Sequence, residues 1–288
     1  MDFHTYSTTR DVCTRANAAE DCEAFYKRAQ ADALAIQSAQ FYFQLTNERD
    51  WERARRPYYN VWPSIVPMLT RLNLDLDSAL IQLPMPALSI RLPKQHNPLT
   101  FEWQGQAFSI RCMLLGDMGG GQAISILIDI GETMYNGAFD MPIYSYCNFL
   151  RQEGLTVDQA LADLNKGRLV DVGVQVPQEL VTDCVRLCCS LCLLENDPSV
   201  IEPDVLSKDR AKFEANGDER YVDKAHRRGK IGWNVGRRIE VAPHYRRPHM
   251  ALVWTGLGER CPRSSHAGAV WSIGNWSRRY QVDLGIDG

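Results

Sequence analysis

Apolar residues recur every three or four positions from about residue 13 to 45: Cys22, Phe25, Ala29, Ala33, Ile36, Ala39 and Phe43, with no Gly or Pro among them. This spacing lays a single apolar stripe along a helical surface and predicts one long amphipathic helix over 13–45, with Arg55, Arg56 and Pro57 as its break. A shorter helix is expected around 64–72, with Pro67 near its start.

The pattern then changes period. Residues 87–92, 99–103, 107–115 and 122–130 are short runs rich in Ile, Leu and Phe, punctuated by Pro, Asn or Gly, and read as consecutive antiparallel strands. The segment 116–121, Gly-Asp-Met-Gly-Gly-Gly, is the hairpin connection between the last two. Thr156 reads as the N-cap of a helix through Leu164, and Pro177 as the first turn of another running to about Glu195. Alternating charges between Ser207 and Lys230 indicate a solvated helix or a linker. No internal repeat or low-complexity tract is present.

These elements predict an α+β fold: N-terminal helices, an antiparallel sheet packed by helices, and a small basic β-rich C-terminal module. The expected division is an acidic body at 1–206, a charged linker or helix at 207–230 and the basic module at 231–288. A chain of 288 residues is one large domain or two, with apolar content sufficient for a substantial core.

Composition adds partner information. No run reaches the roughly 18–20 apolar residues of a membrane span, so no membrane association is expected. The first residues lack the apolar stretch of a secretory signal, and nine cysteines at scattered positions suit free thiols in a cytoplasmic setting. The net charge of −3 conceals two opposed parts. Residues 1–220 carry 20 Lys and Arg against 30 Asp and Glu, a balance of −10, whereas residues 221–288 carry 12 against 5, a balance of +7.

Several motifs carry candidate chemistry. The glycine run at 116–121 has the look of an anion nest, but it lacks a Gly-Lys-Ser/Thr ending and joins two strands, so a flexible hairpin is the expected role. Asp129 and Glu132 are candidate divalent-ion ligands, or simply solvated carboxylates at a strand end. Cys184, Cys188, Cys189 and Cys192 fall on one helix among Val185, Leu187, Leu191 and Leu193, which favours core packing over metal binding.

The region beyond residue 221 holds four of the six histidines and four of the seven tryptophans. There Arg227, Arg228, Lys230, Arg237, Arg238, Arg246 and Arg247 are interleaved with Trp233, Tyr245 and Trp254. Guanidinium forks bind phosphate oxygens and planar rings stack on unpaired bases, so this set reads as an RNA-binding surface. The competing reading is a small β-domain with a tryptophan core and arginines paired to the acidic body. His244 and His249 are candidates for a general base and acid in RNA cleavage, with Arg246 or Arg247 stabilising the transition state. Together with Cys261 and His266 they also have the residue types of a zinc site. No organic cofactor is indicated.

The run His244-Tyr-Arg-Arg-Pro-His249 followed by Trp254-Thr-Gly-Leu-Gly258 resembles the C-terminal hallmark of a phage and mobile-element family, that of the second type V-A anti-CRISPR protein. Weaker similarity extends to Ile81-Gln-Leu-Pro-Met-Pro86 and to the apolar Cys184-to-Leu194 helix followed by Glu-Asn-Asp-Pro. Pro248 and Met250 depart from the hallmark. The resemblance implies a cytoplasmic inhibitor in a bacterial host that recognises the nascent chain of a CRISPR effector at the ribosome and lowers its messenger RNA.

Overall fold

The computed structural model describes residues 1–14, 21–135, 140–164, 176–194, 201–204, 211 and 227–232. The expected basic module from residue 233 onward lies outside the described residues. Among the described residues the α-helices are α1 (Thr9–Thr14), α2 (Cys22–Ala35), α3 (Ala39–Arg53), α4 (Val66–Leu69), α5 (Val157–Leu164) and α6 (Gln178–Leu194). The strands among the described residues are β1 (Tyr58–Val61), β2 (Ala87–Arg91), β3 (Thr100–Trp103), β4 (Gln106–Ser109), β5 (Cys112–Met118), β6 (Ala123–Tyr135), β7 (Asp140–Leu150), β8 (Ile201–Pro203) and β9 (Arg228–Ile231).

The architecture is α+β, as the sequence predicts, but the helix expected over 13–45 is divided. Gln37 adopts a left-handed backbone (φ 55°), and the Ser38 side chain accepts the Phe41 N–H at 3.3 Å to start a new helix. The apolar stripe is interrupted at the break, where Ile36 and Ala39 are exposed, while α2 and α3 pack on each other and bury Phe25, Tyr26, Ala29, Ala33 and Leu45. At the other end Arg55 and Arg56 take φ values of 62° and 55°, and the Arg56 N–H closes on the Trp51 carbonyl at 2.8 Å. The predicted break at Arg55-Arg56-Pro57 is a helix terminus of this kind.

Seven strands form one mixed sheet in the order β7-β6-β5-β2-β1-β9-β8. Antiparallel pairing holds for the expected runs at β2, β5 and β6, and β7, which none of those runs includes, extends it on β6, whereas β1 lies parallel to both β2 and β9. Run 107–115 is two strands rather than one, since β4 pairs with β3 in a separate hairpin and β5 enters the main sheet. The hairpin reading of the glycine run holds in a narrower form: Gly116 to Met118 are still strand, and Gly119, Gly120 and Gly121, all at positive φ, make the turn.

One face of the sheet presents Tyr59, Val61, Leu88, Ile90, Met113, Leu115, Ile126 and Ile128 to α5 and α6, forming the main core. Cys184, Cys188, Cys189 and Cys192 are all buried in it, and the Cys188 thiol lies 3.7 Å from the Met113 sulfur. These cysteines pack as small apolar side chains, as expected. The capping of α5 also follows the sequence: Thr156 Oγ1 accepts the Gln159 N–H (3.2 Å) while the Gln159 side chain accepts the Thr156 N–H (2.9 Å).

The N-terminal segment is held to α3 by two carboxylates one helical turn apart. Glu48, fully buried, accepts from the Thr9 N–H (2.9 Å) and from the Tyr6 hydroxyl (3.1 Å), the Thr9 hydroxyl (3.2 Å) and Gln44 (3.3 Å). Burial nevertheless outweighs these donors and pushes its carboxyl up to about 8. Glu52 accepts from Arg10 (2.8 Å), Tyr26 (3.0 Å) and Arg56 (3.0 Å).

Candidate functional site

The opposite face of the sheet is apolar where the N-terminal segment and α3 cover it, around Trp51, Tyr6, Ala87, Leu114 and Leu127. Toward β1, β9 and β8 it becomes polar. Strand alternation explains the change: in Tyr58-Tyr59-Asn60-Val61 the second and fourth residues enter the main core, leaving Tyr58 and Asn60 on the other side. In Arg228-Gly229-Lys230-Ile231, Ile231 likewise enters the core and the two cations face away. Gly229 is required between them, because a Cβ there would stand 2.6 Å from the Tyr59 ring.

Register assembles the cluster. Tyr58 stands opposite Ser89 on one side and Arg228 on the other, and Asn60 stands between Arg91 and Lys230. The Arg91 guanidinium lies over the Tyr58 ring at 3.7 Å from its centroid, and the Arg228 guanidinium lies 5.9 Å from the same ring. Asp204, just past β8, anchors its backbone N–H on the Arg228 carbonyl at 2.8 Å. Its carboxylate accepts from Asn60 Nδ2 (2.7 Å) and the Tyr58 hydroxyl (3.2 Å) and pairs with Lys230 Nζ (2.9 Å). Burial first, and the Asp204 charge second, hold the Tyr58 hydroxyl above its usual range.

The cluster is not fully satisfied. Asn60 Oδ1, Ser89 Oγ and Arg91 Nε are buried without a hydrogen-bond partner, and all three lie on this face, on two adjacent strands. Buried polar atoms are paired in the great majority of cases, so a local group of orphans marks a place suited to a polar ligand. Three cations beside one aromatic ring are the chemistry of an anion site with a flat, stacking component, and Asn60 Oδ1 adds a place for a hydrogen-bond donor.

Of the sequence-predicted residues, Arg228 and Lys230 are in this cluster. Arg227 is turned aside, its guanidinium donating to the Arg55 carbonyl at 2.8 Å. Trp233, Arg237, Arg238, His244, Tyr245, Arg246, Arg247, His249, Trp254, Cys261 and His266 lie outside the described residues. Tyr58, Asn60, Arg91 and Asp204 belong to no motif that the sequence displays. The one signal it offers is Arg91 itself, a cation inside the otherwise apolar run Ala-Leu-Ser-Ile-Arg-Leu.

Other candidates resolve differently. Asp129 is buried and accepts from the Gly131 N–H (2.7 Å) and the Cys112 thiol (3.2 Å), so its carboxylate serves the bulge within β6. Among the described residues no group of three or more His, Cys, Asp and Glu is placed to hold a metal ion, and no helix is long and apolar enough to cross a membrane. The Ile81-to-Pro86 segment borders an open groove with Asp117, Gly121 and Arg151, where the Arg151 guanidinium bridges the Asp117 carboxylate and the Ile81 carbonyl.

No known family profile matches the chain, and no curated protein does. Among solved structures, the chain is similar to the crystal structure of AcrVA2, with 16% identity over 85% of this chain and 91% of that one and a TM-score of 0.47.

Proposed function

We propose that the protein is an RNA-engaging inhibitor of the anti-CRISPR type, in which the sheet face around Tyr58 and the basic run beyond residue 232 grip RNA together while the acidic body meets a protein partner. The observation that carries the RNA part is the Arg91–Tyr58–Arg228 stack with Lys230 beside it. It joins phosphate-binding cations to an aromatic plane, and the strand that supplies Arg228 and Lys230 leads directly into the Arg-, His- and Trp-rich sequence. The anti-CRISPR part is supported by the His244-to-Gly258 hallmark, and the protein-partner part by the −10 balance of the body.

Binding of a labelled single-stranded RNA to the full chain, followed by fluorescence anisotropy from about 50 to about 200 mM salt, tests the RNA reading. The double variant Arg228→Glu/Lys230→Glu is expected to bind at least about tenfold more weakly and to lose about 0.7 from the log–log salt slope, the phosphate contact of Arg228, since Lys230 is paired with Asp204. Unchanged affinity in a folded double variant removes this face from the RNA site. Gel analysis of the same reactions reads the enzymatic alternative directly: RNA that stays intact excludes a ribonuclease built on His244 and His249. In cells, co-expression with a type V-A effector is expected to lower effector mRNA, and Arg246→Glu/Arg247→Glu to restore it.

A further inference from the structure

We infer that the Asp204 carboxylate occupies a phosphate subsite of the sheet face, so that Asp204 and an RNA phosphodiester compete for the same donors; the inference rests on the RNA reading above. The subsite consists of Asn60 Nδ2, the Tyr58 hydroxyl and Lys230 Nζ, three donors from two adjacent strands converging on one anionic group at 2.7, 3.2 and 2.9 Å. A carboxylate and a phosphodiester present the same recognition element, two oxygens sharing one negative charge. The donors that hold this carboxylate are thus of the kind that bind a phosphodiester.

Position separates Asp204 from the donors it engages. Tyr58, Asn60 and Lys230 lie on strands inside the sheet, each paired on both sides. Asp204 instead follows β8, a three-residue strand at the sheet margin, and its backbone reaches β9 through the single Asp204 N–H bond to Arg228. The carboxylate is therefore the more easily displaced member of the arrangement. The flanking Arg91 and Arg228 guanidiniums sit over Tyr58 rather than on Asp204, so charge remains for an incoming anion after one carboxylate has been accommodated.

An independent feature points to the incoming group. Asn60 is more than nine-tenths buried, and while its Nδ2 serves Asp204 its Oδ1 has no partner. A carboxylate supplies only acceptors and leaves that oxygen unmet. A ribose hydroxyl next to a phosphodiester supplies the missing donor. The native arrangement thus leaves the Asn60 acceptor unmet along with Arg91 Nε and Ser89 Oγ, and a ribonucleotide, with phosphate acceptors and a hydroxyl donor, supplies partners of both kinds.

The test is Asp204→Asn in the full chain, measured with the same labelled single-stranded RNA and a melting curve to establish folding. An amide at 204 removes the charge and keeps one acceptor, which on the Oδ2 side still takes the Asn60 and Tyr58 donors while Lys230 loses its partner oxygen. The expected result is about tenfold tighter RNA binding and a salt slope steeper by about 0.7, one added phosphate contact, with both gains abolished by adding Lys230→Gln. If wild type binds RNA and the folded Asp204→Asn variant binds it no more tightly, the subsite inference falls and the RNA reading stands. If neither binds, the RNA reading falls and takes the inference with it. Should Asp204→Asn not fold, Asp204→Ser, which retains a small hydroxyl acceptor, serves with the same outcomes. Displacement of RNA from the variant by inorganic phosphate at equal phosphate concentration would assign the subsite to free phosphate and overturn the RNA assignment.

Discussion

Glu48 makes a quantitative pH prediction. Its carboxyl is fully buried beneath the N-terminal segment and is raised from an ordinary 4.5 to about 8. In the folded chain the proton is therefore retained over a range in which the unfolded chain has released it. The sign follows: stability is greatest below the unfolded value, falls as pH rises through the interval, and levels off above the folded value. Each pH unit corresponds to about 1.4 kcal/mol, so the whole interval amounts to about 5 kcal/mol. Glu48→Gln removes this titration. Its amide oxygen keeps an acceptor for Tyr6, Thr9 Oγ1 and Gln44, but its NH2 opposes the Thr9 N–H, a loss of about 1–2 kcal/mol. Urea unfolding of both proteins from about pH 4 to about pH 9 should show the variant less stable at the acid end and more stable at the alkaline end, with the curves crossing between about pH 5 and about pH 6, where the wild type has lost the same ~1–2 kcal/mol. A difference that is constant across this range would refute the reasoning, because it would mean that the four donors keep Glu48 ionised despite its burial.

Further perturbations test the packing. Gly116→Ala places a Cβ 2.3 Å from Asn47 Oδ1 and should cost about 1–3 kcal/mol by chemical denaturation; the cost should shrink markedly on an Asn47→Ala background, which a double-mutant cycle measures. Arg56→Ala leaves Asp11 without its bidentate partner (3.0 and 2.8 Å) and Glu52 short of one donor, and uncovers the Trp51 ring; a loss of about 2–4 kcal/mol and faster proteolysis of the first residues are expected. Burial pushes the thiols of Cys112, Cys147, Cys184, Cys188 and Cys189 up, so mass spectrometry after iodoacetamide treatment near neutral pH should find these cysteines alkylated only in the denatured protein.

What local pattern encodes is legible in the sequence. The cysteine-bearing helix α6, the Thr156 cap, the break at Arg55-Arg56-Pro57 and the strands β2 and β6 all follow from periodicity and end signals within about a dozen residues, whereas β5 begins inside the run 107–115 and ends inside the glycine segment. Two strands carry no such signal. β1 has only four residues, directly after a helix terminus, and β7 holds Pro142 and Asn148 among its apolar positions, so neither has a clean signature. The charge division beyond residue 220 is also plain in the sequence, and it singles out the segment that contains Arg228 and Lys230.

The sequence by itself determined the α+β class, the core positions of its longer elements and the basic character of the segment from 221 onward, because these depend on local spacing and composition. The cluster around Tyr58 was decided only by tertiary structure. Asp204 is 146 positions from Tyr58 and 144 from Asn60, and they meet because β1 pairs in parallel with β9 in one particular register. A shift of one residue in that register would send Arg228 and Lys230 into the core and Ile231 out of it. That register is set by the fit of Tyr59, Gly229 and Ile231 against the main core, an interaction among distant segments that no local period contains.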